Sequence, residues 1–234
     1  MKYNITFISD THNKHYQIDS FLPGGDILIH AGDISSIGTA EEVKVFCKWF
    51  EEQSKKYDHC IFIAGNHDWL FEESPNKSQE IVNSYKNIDY LEDDLLMIGG
   101  MDYDKMIKIY GSPWQPEFFN WAFNLPRNSE VMEATWEMIP NNTDILITHG
   151  PPCLPLSSLD KIAWEHVGCE DLANRIKIVK PKIHVFGHIH GGSGYWFDGD
   201  THFINASVLN EKYNFTNPPI NCEWDSETNE IEFL

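Results

Sequence analysis

Short runs of β-branched and aromatic residues recur along the chain, and several of them stop abruptly on polar residues. Tyr3–Ser9 runs into Asp10-Thr11-His12, Asp26–His30 into Ala31-Gly32-Asp33, and Cys60–Ala64 into Gly65-Asn66-His67-Asp68. Further on, Asp144–Thr148 runs into His149-Gly150, and Lys182–Phe186 into Gly187-His188-Ile189-His190. Continuous apolar runs of this length predict strands buried on both faces. Between them the spacing predicts helices. Thr39–Tyr57 opens on Thr39-Ala40-Glu41-Glu42, a capping-box pattern, and carries Val43, Phe46, Cys47 and Phe50 on one face. Asn128–Met138 and Gly168–Lys180 are the other helical segments, the second stopped by Pro181. Residues 88–127 read as short strands and turns, and Tyr195–Leu234 as further strands broken at Asn217-Pro218-Pro219. Strands mixed with helices predict a layered α/β fold, and open α/β sheets place their sites at the carboxyl ends of strands. Five strand ends bearing Asp, His or Asn are thus expected to meet in one crevice.

Composition narrows the partners. The 234 residues suit a single α/β domain spanning 1–234, with a core fed by 8 Trp, 9 Tyr and 14 Phe. Cys47, Cys60, Cys153, Cys169 and Cys222 form no CxxC pair, and residues 1–8 read as a strand rather than a signal peptide. Both features predict reduced thiols and a cytoplasmic protein. No run of 18 apolar residues is present, so no membrane span is expected. A net charge of −19 argues against long nucleic acid, whose phosphates need clustered Lys and Arg. A small anionic substrate still fits if bound cations reverse the field locally.

That condition directs attention to Asp10, His12, Asp33, Asn66, His149, His188 and His190. Carboxylate, imidazole and amide donors suit divalent manganese first, with iron, zinc or cobalt also compatible. The set is too large for one tetrahedral ion but adequate for two, and Asp33, central in chain order, is the natural bridge. Singly, each motif has a bland reading as a cap, a turn or a surface pair. Jointly, five of them at the ends of buried strands do not.

The series Asp10-x-His12, Gly32-Asp33, Gly65-Asn66-His67-Asp68, His149 and Gly187-His188-x-His190 resembles the calcineurin-like metallophosphoesterase superfamily. Other stretches are similar to a narrower branch, the small metallophosphoesterase-domain proteins related to class III cyclic nucleotide phosphodiesterases. These are Tyr110-Gly111-Ser112-Pro113-Trp114, Phe123-Asn124-Leu125-Pro126-Arg127, Thr148-His149-Gly150-Pro151-Pro152, His184-Val185-Phe186-Gly187, Ile204-Asn205-Ala206-Ser207 and Asn217-Pro218-Pro219. The resemblance implies a two-sheet β-sandwich flanked by helices, in four layers α/β/β/α. It implies that Asp10, His12, Asp33 and His190 hold one metal, and Asp33, Asn66, His149 and His188 the other. It implies that a small phosphodiester, a cyclic nucleotide above all, is hydrolysed by a hydroxide held between the ions. His67 would contact the phosphate and protonate the leaving oxygen, as an imidazole can near neutral pH. Asn66 and Arg127 are further candidates for substrate contact. Asp68 has two readings, orienting His67 or capping the next helix.

Departures from the pattern sharpen the expectation. Some brain-type members of the branch carry Gly in place of the first His of Gly-His-x-His, whereas His188 is present here. Protein Ser/Thr phosphatases continue the second motif as Gly-Asp-x-x-Asp-Arg-Gly, and this chain reads Gly32-Asp33-Ile34-Ser35-Ser36-Ile37-Gly38. The alternatives are a phosphomonoesterase, a protein phosphatase, or a catalytically silent nucleotide-binding module. His30 and His184, inside strand runs, read as hydrogen-bonded core residues, and Cys153 has no base to make it a nucleophile. The aromatics Trp114, Phe118, Phe119, Trp121 and Phe123 read either as core beneath a loop or as a stacking wall for a base.

Overall fold

The structure is a computed structural model that describes residues 1–100 and 106–234. Part of the 88–127 segment, residues 101–105, lies outside the described residues. The strands in chain order are β1 (Lys2–Ile8), β2 (Gly25–Ala31), β3 (Tyr57–Ile63), β4 (Asp89–Tyr90), β5 (Asp94–Ile98) and β6 (Ile107–Ser112). They continue as β7 (Gln115–Pro116), β8 (Asn124–Leu125), β9 (Ile145–Thr148), β10 (Lys161–Ile162) and β11 (Glu165–His166). The remainder are β12 (Ile183–Phe186), β13 (Gly194–Phe197), β14 (His202–Asn205), β15 (Ile220–Asp225) and β16 (Glu230–Phe233). The helices are α1 (Ala40–Gln53), α2 (Trp69–Glu73), α3 (Pro75–Val82), α4 (Glu130–Glu137) and α5 (Glu170–Val179).

Two six-stranded sheets form, ordered β16-β15-β1-β2-β3-β4 and β13-β14-β12-β9-β6-β5. Strands β1 to β4 run parallel, and β15 closes against β1 antiparallel, with Ile5 opposite Cys222. The second sheet is parallel through β6, β9, β12 and β14, with antiparallel strands at both edges. Side-chain alternation explains the unbroken apolar runs of the sequence. Ile5, Phe7, Ile27, Ile29, Ile61 and Ile63 face inward onto Ile145, Ile147, Ile183 and Val185 of the opposite sheet. Ile8, Leu28, Cys60 and Phe62 point the other way, into a layer with Phe46, Phe50 and Phe71. Leu146 and Phe186 do the same on the far side, against Met132, Leu172 and Ile176. Each of these central strands therefore buries both faces, and the architecture is the four-layer α/β/β/α sandwich. A fully buried Phe or Ile contributes roughly 1.5–3 kcal/mol.

The helices are shorter than the apolar spacing predicts because their first residues act as caps. Thr39 Oγ1 accepts from the Glu42 amide at 3.2 Å and the Glu42 carboxylate accepts from the Thr39 amide at 2.8 Å, so helix begins only at Ala40. Ser129 and Cys169 play the same part for α4 and α5 through the Met132 and Leu172 amides. At its far end the predicted Thr39–Tyr57 helix yields to β3, since Tyr57 pairs with Gly25. Helices α2 and α3 are not predicted by the pattern. Both are short, and their buried side chains, Phe71, Ile81 and Val82, show no long-range period.

One buried group makes stability sensitive to acid. His15 packs between Trp49, at a ring distance of 4.8 Å, and Tyr16, at 4.6 Å. Neither ring nitrogen has a hydrogen-bond partner among the described residues. Burial pushes its imidazole down to about 4. The unfolded chain takes up a proton near pH 6.5 while the folded chain resists until about 4, so unfolding gains a proton in that window. Stability should therefore fall as pH drops from about 6.5 to 4, by roughly 3 kcal/mol from this residue. His15→Phe should flatten that slope in urea titrations from pH 7 to 4. An unchanged slope would remove His15 from the account.

Candidate active site

The five polar strand ends lie together along one rim of the sandwich. Residues following β1, β2 and β3 supply Asp10, His12, Asp33 and Asn66, and residues following β9 and β12 supply His149, His188 and His190. The site thus draws on both sheets. Successive contacts link all seven. Asp10 Oδ1 lies 3.4 Å from His190 Nε2, which is 3.4 Å from His12 Nε2. Asp33 Oδ2 lies 3.5 Å from His12 Nε2 and 3.4 Å from His149 Nε2. Asn66 Oδ1 lies 2.9 Å from His149 Nε2 and 2.8 Å from His188 Nδ1. Asp33 stands at the middle of this arc and joins its two halves.

The backbone is forced to present these groups. Asp10, His12, Asp33 and His188 adopt φ values of 55°, 41°, 56° and 65°, the left-handed region that costs a side-chain-bearing residue about 1–3 kcal/mol. Glycines allow the loops to close on one another. A Cβ on Gly187 would come within 2.2 Å of Asp10 Oδ2, and one on Gly32 within 2.5 Å of His149 Nδ1. The glycines of Gly-Asp and Gly-His-x-His are thus required by close approach as much as by the turn.

Hydrogen bonds behind the site set the imidazole tautomers. Nδ1 of His12 donates to the Ser35 carbonyl at 3.1 Å, that of His149 to Ala31 at 2.9 Å, and that of His190 to Asn210 at 3.0 Å. Each ring therefore turns its Nε2 toward the centre, the nitrogen that binds a metal once it carries no proton. Asp10 is fixed by the Ser207 hydroxyl at 2.6 Å and the His188 amide at 3.1 Å, and Asp33 Oδ1 by the His67 amide at 2.8 Å. Although burial opposes charge on them, His190 and His149 hold Asp10 and Asp33 below the ordinary carboxylate range. Burial likewise opposes charge on His149 and His190, yet the two carboxylates lift both to about 9. Burial pushes His188 down to about 3. Two ionised carboxylates balanced by protons on His149 and His190 make a centre in which divalent cations can take the place of those protons, and the donor set fits two of them. Donor atoms of Asp10, His12 and His190 fall within 4.8 Å of one another, as do those of Asp10, Asp33 and His149.

His67 stands beside this arc. Its Nδ1 donates to the Ser36 carbonyl at 2.7 Å, leaving Nε2 as the nitrogen available to the cleft. Its ring stacks on Trp121 at 4.1 Å and meets His12 edge-on at 4.6 Å. Asp68 stands at the N-cap position of α2, yet its carboxylate makes no hydrogen bond to that helix. It accepts from the amides of Ile34 at 3.2 Å, Ser35 at 3.0 Å and Gly65 at 2.8 Å, and from the Ser35 hydroxyl at 2.5 Å. It thereby ties the Asp33 loop to the Asn66 loop, while burial and the charge of Asp33 push its carboxyl up to about 6. Asp68→Ala should leave these donors unpaired at about 1–3 kcal/mol each. A fall of several kcal/mol in urea-unfolding stability is expected, and a loss below 1 kcal/mol would contradict the clamp.

The aromatic segment divides. Trp114 and Phe123 join the core, whereas Phe118, Phe119 and Trp121 line the cleft with Asn66, His67 and Tyr213. Arg127 does not line that cleft but a smaller cavity beside it. Its guanidinium donates to the carbonyls of Gly168 and Val167 and pairs with Glu170 at 2.9 Å. The sequence reading missed the groups behind the ligands, namely Ser207, Asn210 and Tyr213. Ile204-Asn205-Ala206-Ser207 is a motif of the resemblance and could have flagged the first. His30 and His184 are buried strand residues whose Nε2 atoms each meet a threonine hydroxyl at 2.9 Å, Thr11 and Thr148 respectively.

Comparison with known proteins places this geometry. A family model described as calcineurin-like phosphoesterase matches residues 3–192. Metallophosphoesterase domain-containing protein 1 of Homo sapiens is 41% identical, over 91% of this chain and 68% of that protein. A UPF0046 protein of Caenorhabditis elegans is 36% identical, over 91% of this chain and 58% of its own length. The crystal structure of TT1561 of Thermus thermophilus superposes with a TM-score of 0.67 at 14% identity, covering 100% of this chain and 99% of that one, a likeness of fold. On the matched span and the curated relatives, the chain belongs to the calcineurin-like phosphoesterase family.

Proposed function

We propose that residues 1–234 form a single metallophosphoesterase domain that hydrolyses small phosphodiesters, with cyclic nucleotides as the substrate class. The reading rests above all on Asp33, whose Oδ2 lies within 3.5 Å of His12 Nε2 on one side and 3.4 Å of His149 Nε2 on the other. Asp10, His12, Asp33 and His190 would hold one divalent ion, and Asp33, Asn66, His149 and His188 the other, manganese being the first candidate. Such a pair, when bound, acidifies water and neutralises charge on the phosphoryl oxygens.

The chain's own groups account for the rest. A cleft of about 410 Å³ lies over the arc, a volume that suits a nucleotide-sized ligand. Among the described residues lining it there is no Lys or Arg, so a phosphate depends on cations for its counter-charge. His67, on the cleft wall, donates its Nε2 proton to the leaving oxygen. The Ser36 carbonyl behind it and the face of Trp121 beside it fix the orientation of the ring. Phe118, Phe119, Trp121 and Tyr213 give the cleft flat apolar walls, which suit a base or sugar better than a protein loop.

The test is manganese-reconstituted protein with bis-(p-nitrophenyl) phosphate, p-nitrophenyl phosphate and cyclic nucleotides, alongside metal analysis. Two ions per chain and faster turnover of the diesters are expected. Faster turnover of the monoester would overturn the diesterase reading, and less than one ion per chain would overturn the dinuclear one.

A further inference from the structure

A second, smaller cavity of about 110 Å³ adjoins the cleft, and His188 and Phe118 line both. Pro116, Pro151, Ile162 and Val167 form the apolar part of its wall, and the charged Glu117 and Arg127 line it as well. Gln115, only 1% exposed, also lines it. The Gln115 amide is oriented by its surroundings, since Nε2 donates to Asn124 Oδ1 at 3.3 Å and the backbone amide to the Phe123 carbonyl at 3.0 Å. Its Oε1 has no hydrogen-bond partner among the described residues. A buried acceptor of this kind normally has one, and its loss costs about 1–3 kcal/mol.

Gly150 keeps the space beside that oxygen open. A Cβ there would meet Gln115 Cβ at 3.1 Å and Oε1 at 3.9 Å. Gly150 is not among the residues with positive φ, so clearance rather than backbone conformation is what the glycine provides here. The cavity therefore combines apolar walls, the charged Glu117 and an Arg127 already paired with Glu170, one fixed acceptor without a partner, and an opening shared with a candidate metal ligand.

We infer that this cavity is a base subsite. It receives a ring bearing an N–H donor, the amino or imino edge of a nucleobase, while the attached phosphate lies over the ligand arc. A volume near 110 Å³ is of the order that holds one ring, and the donor must come from the ligand because Oε1 only accepts. Phe118, edge-on to His188 at 5.5 Å, stands where the ring passes from the cleft into the cavity. The inference rests on the phosphodiesterase reading for the position of the phosphate and on Gln115 for the base.

Two substrates releasing the same p-nitrophenolate separate the possibilities, bis-(p-nitrophenyl) phosphate and thymidine 5′-(p-nitrophenyl phosphate). In manganese-loaded protein the base-bearing diester should have the higher kcat/KM. Gln115→Leu should lower that preference about tenfold, as loss of one hydrogen bond predicts. Ile162→Trp, a change on a half-exposed hairpin strand that spares the core, should lower it as well by filling the cavity. The ratio cancels any general damage to the protein. A preference unchanged in both variants overturns the subsite while the diesterase reading stands. If neither diester is turned over, that reading fails, and titration of metal-free protein with adenosine decides the subsite alone. Shifts of the Gln115 side-chain amide in nuclear magnetic resonance spectra, lost in Ile162→Trp, uphold it, and no shift at millimolar nucleoside overturns it.

Discussion

Asp33→Ala should reduce turnover by at least 10³-fold, on the order expected when a shared ligand rather than an outer-shell partner is lost. Removing an outer-shell group typically costs about 10–100-fold, because the ligands themselves remain. Here Oδ2 faces His12 on one side and His149 on the other, while Oδ1 holds the His67 amide at 2.8 Å. Alanine deletes the contact to both ion positions and one negative charge from a buried centre. Metal content and melting temperature should change with rate. Ligand binding stabilises the folded state by RT ln(1 + [L]/Kd), so manganese should raise the Tm of the natural protein and barely move that of the variant. Asp33→Asn keeps the shape and loses the charge, and it should fall between the two. Unchanged metal stoichiometry in Asp33→Ala would exclude Asp33 as a bridge.

His67→Ala should behave differently. Metal content should stay at the level of the natural protein, because the seven residues of the arc remain although His67, whose ring meets His12 at 4.6 Å, is removed. Rate should fall about 10²- to 10⁴-fold, the range of a lost general acid. The loss should depend on the leaving group. p-Nitrophenolate departs without a proton and should lose little, whereas the ribose alkoxide of a cyclic nucleotide needs one and should lose most. Equal losses for both leaving groups would remove the proton-donor role and leave His67 as a phosphate contact.

Much of this was legible in the sequence, and the limits have physical causes. The strands β1, β2, β3, β9 and β12 were readable because both faces are buried, which forces unbroken apolar runs. The ligand candidates were readable because each follows such a run directly. Helix ends were less so, since Ser129 and Cys169 cap their helices with side chains and stay outside them. The role of Asp68 was hidden for another reason. Its partners at Ile34 and Ser35 are more than 30 residues away, and no local pattern announces a carboxylate that joins two loops. Arg127 illustrates the converse. Its motif is local, but what occupies its guanidinium, Gly168, Val167 and Glu170, lies about 40 residues further along.

The position of β15 has a consequence for how the molecule is made. Strand β1 lies between β2 and β15, so the strand that delivers Asp10 and His12 has one neighbour from early in the chain and one from beyond residue 219. During synthesis β1 and β2 can pair as soon as they emerge, yet the other edge of β1 waits until residues 220–225 have been made. Until then its row of amides and carbonyls is an open template for foreign strands. A nonsense mutation just before Ile220 would remove no candidate ligand, and it should still yield an aggregating chain rather than a merely weakened enzyme. In this topology the strand that carries two candidate ligands is completed by a segment more than 200 residues further along.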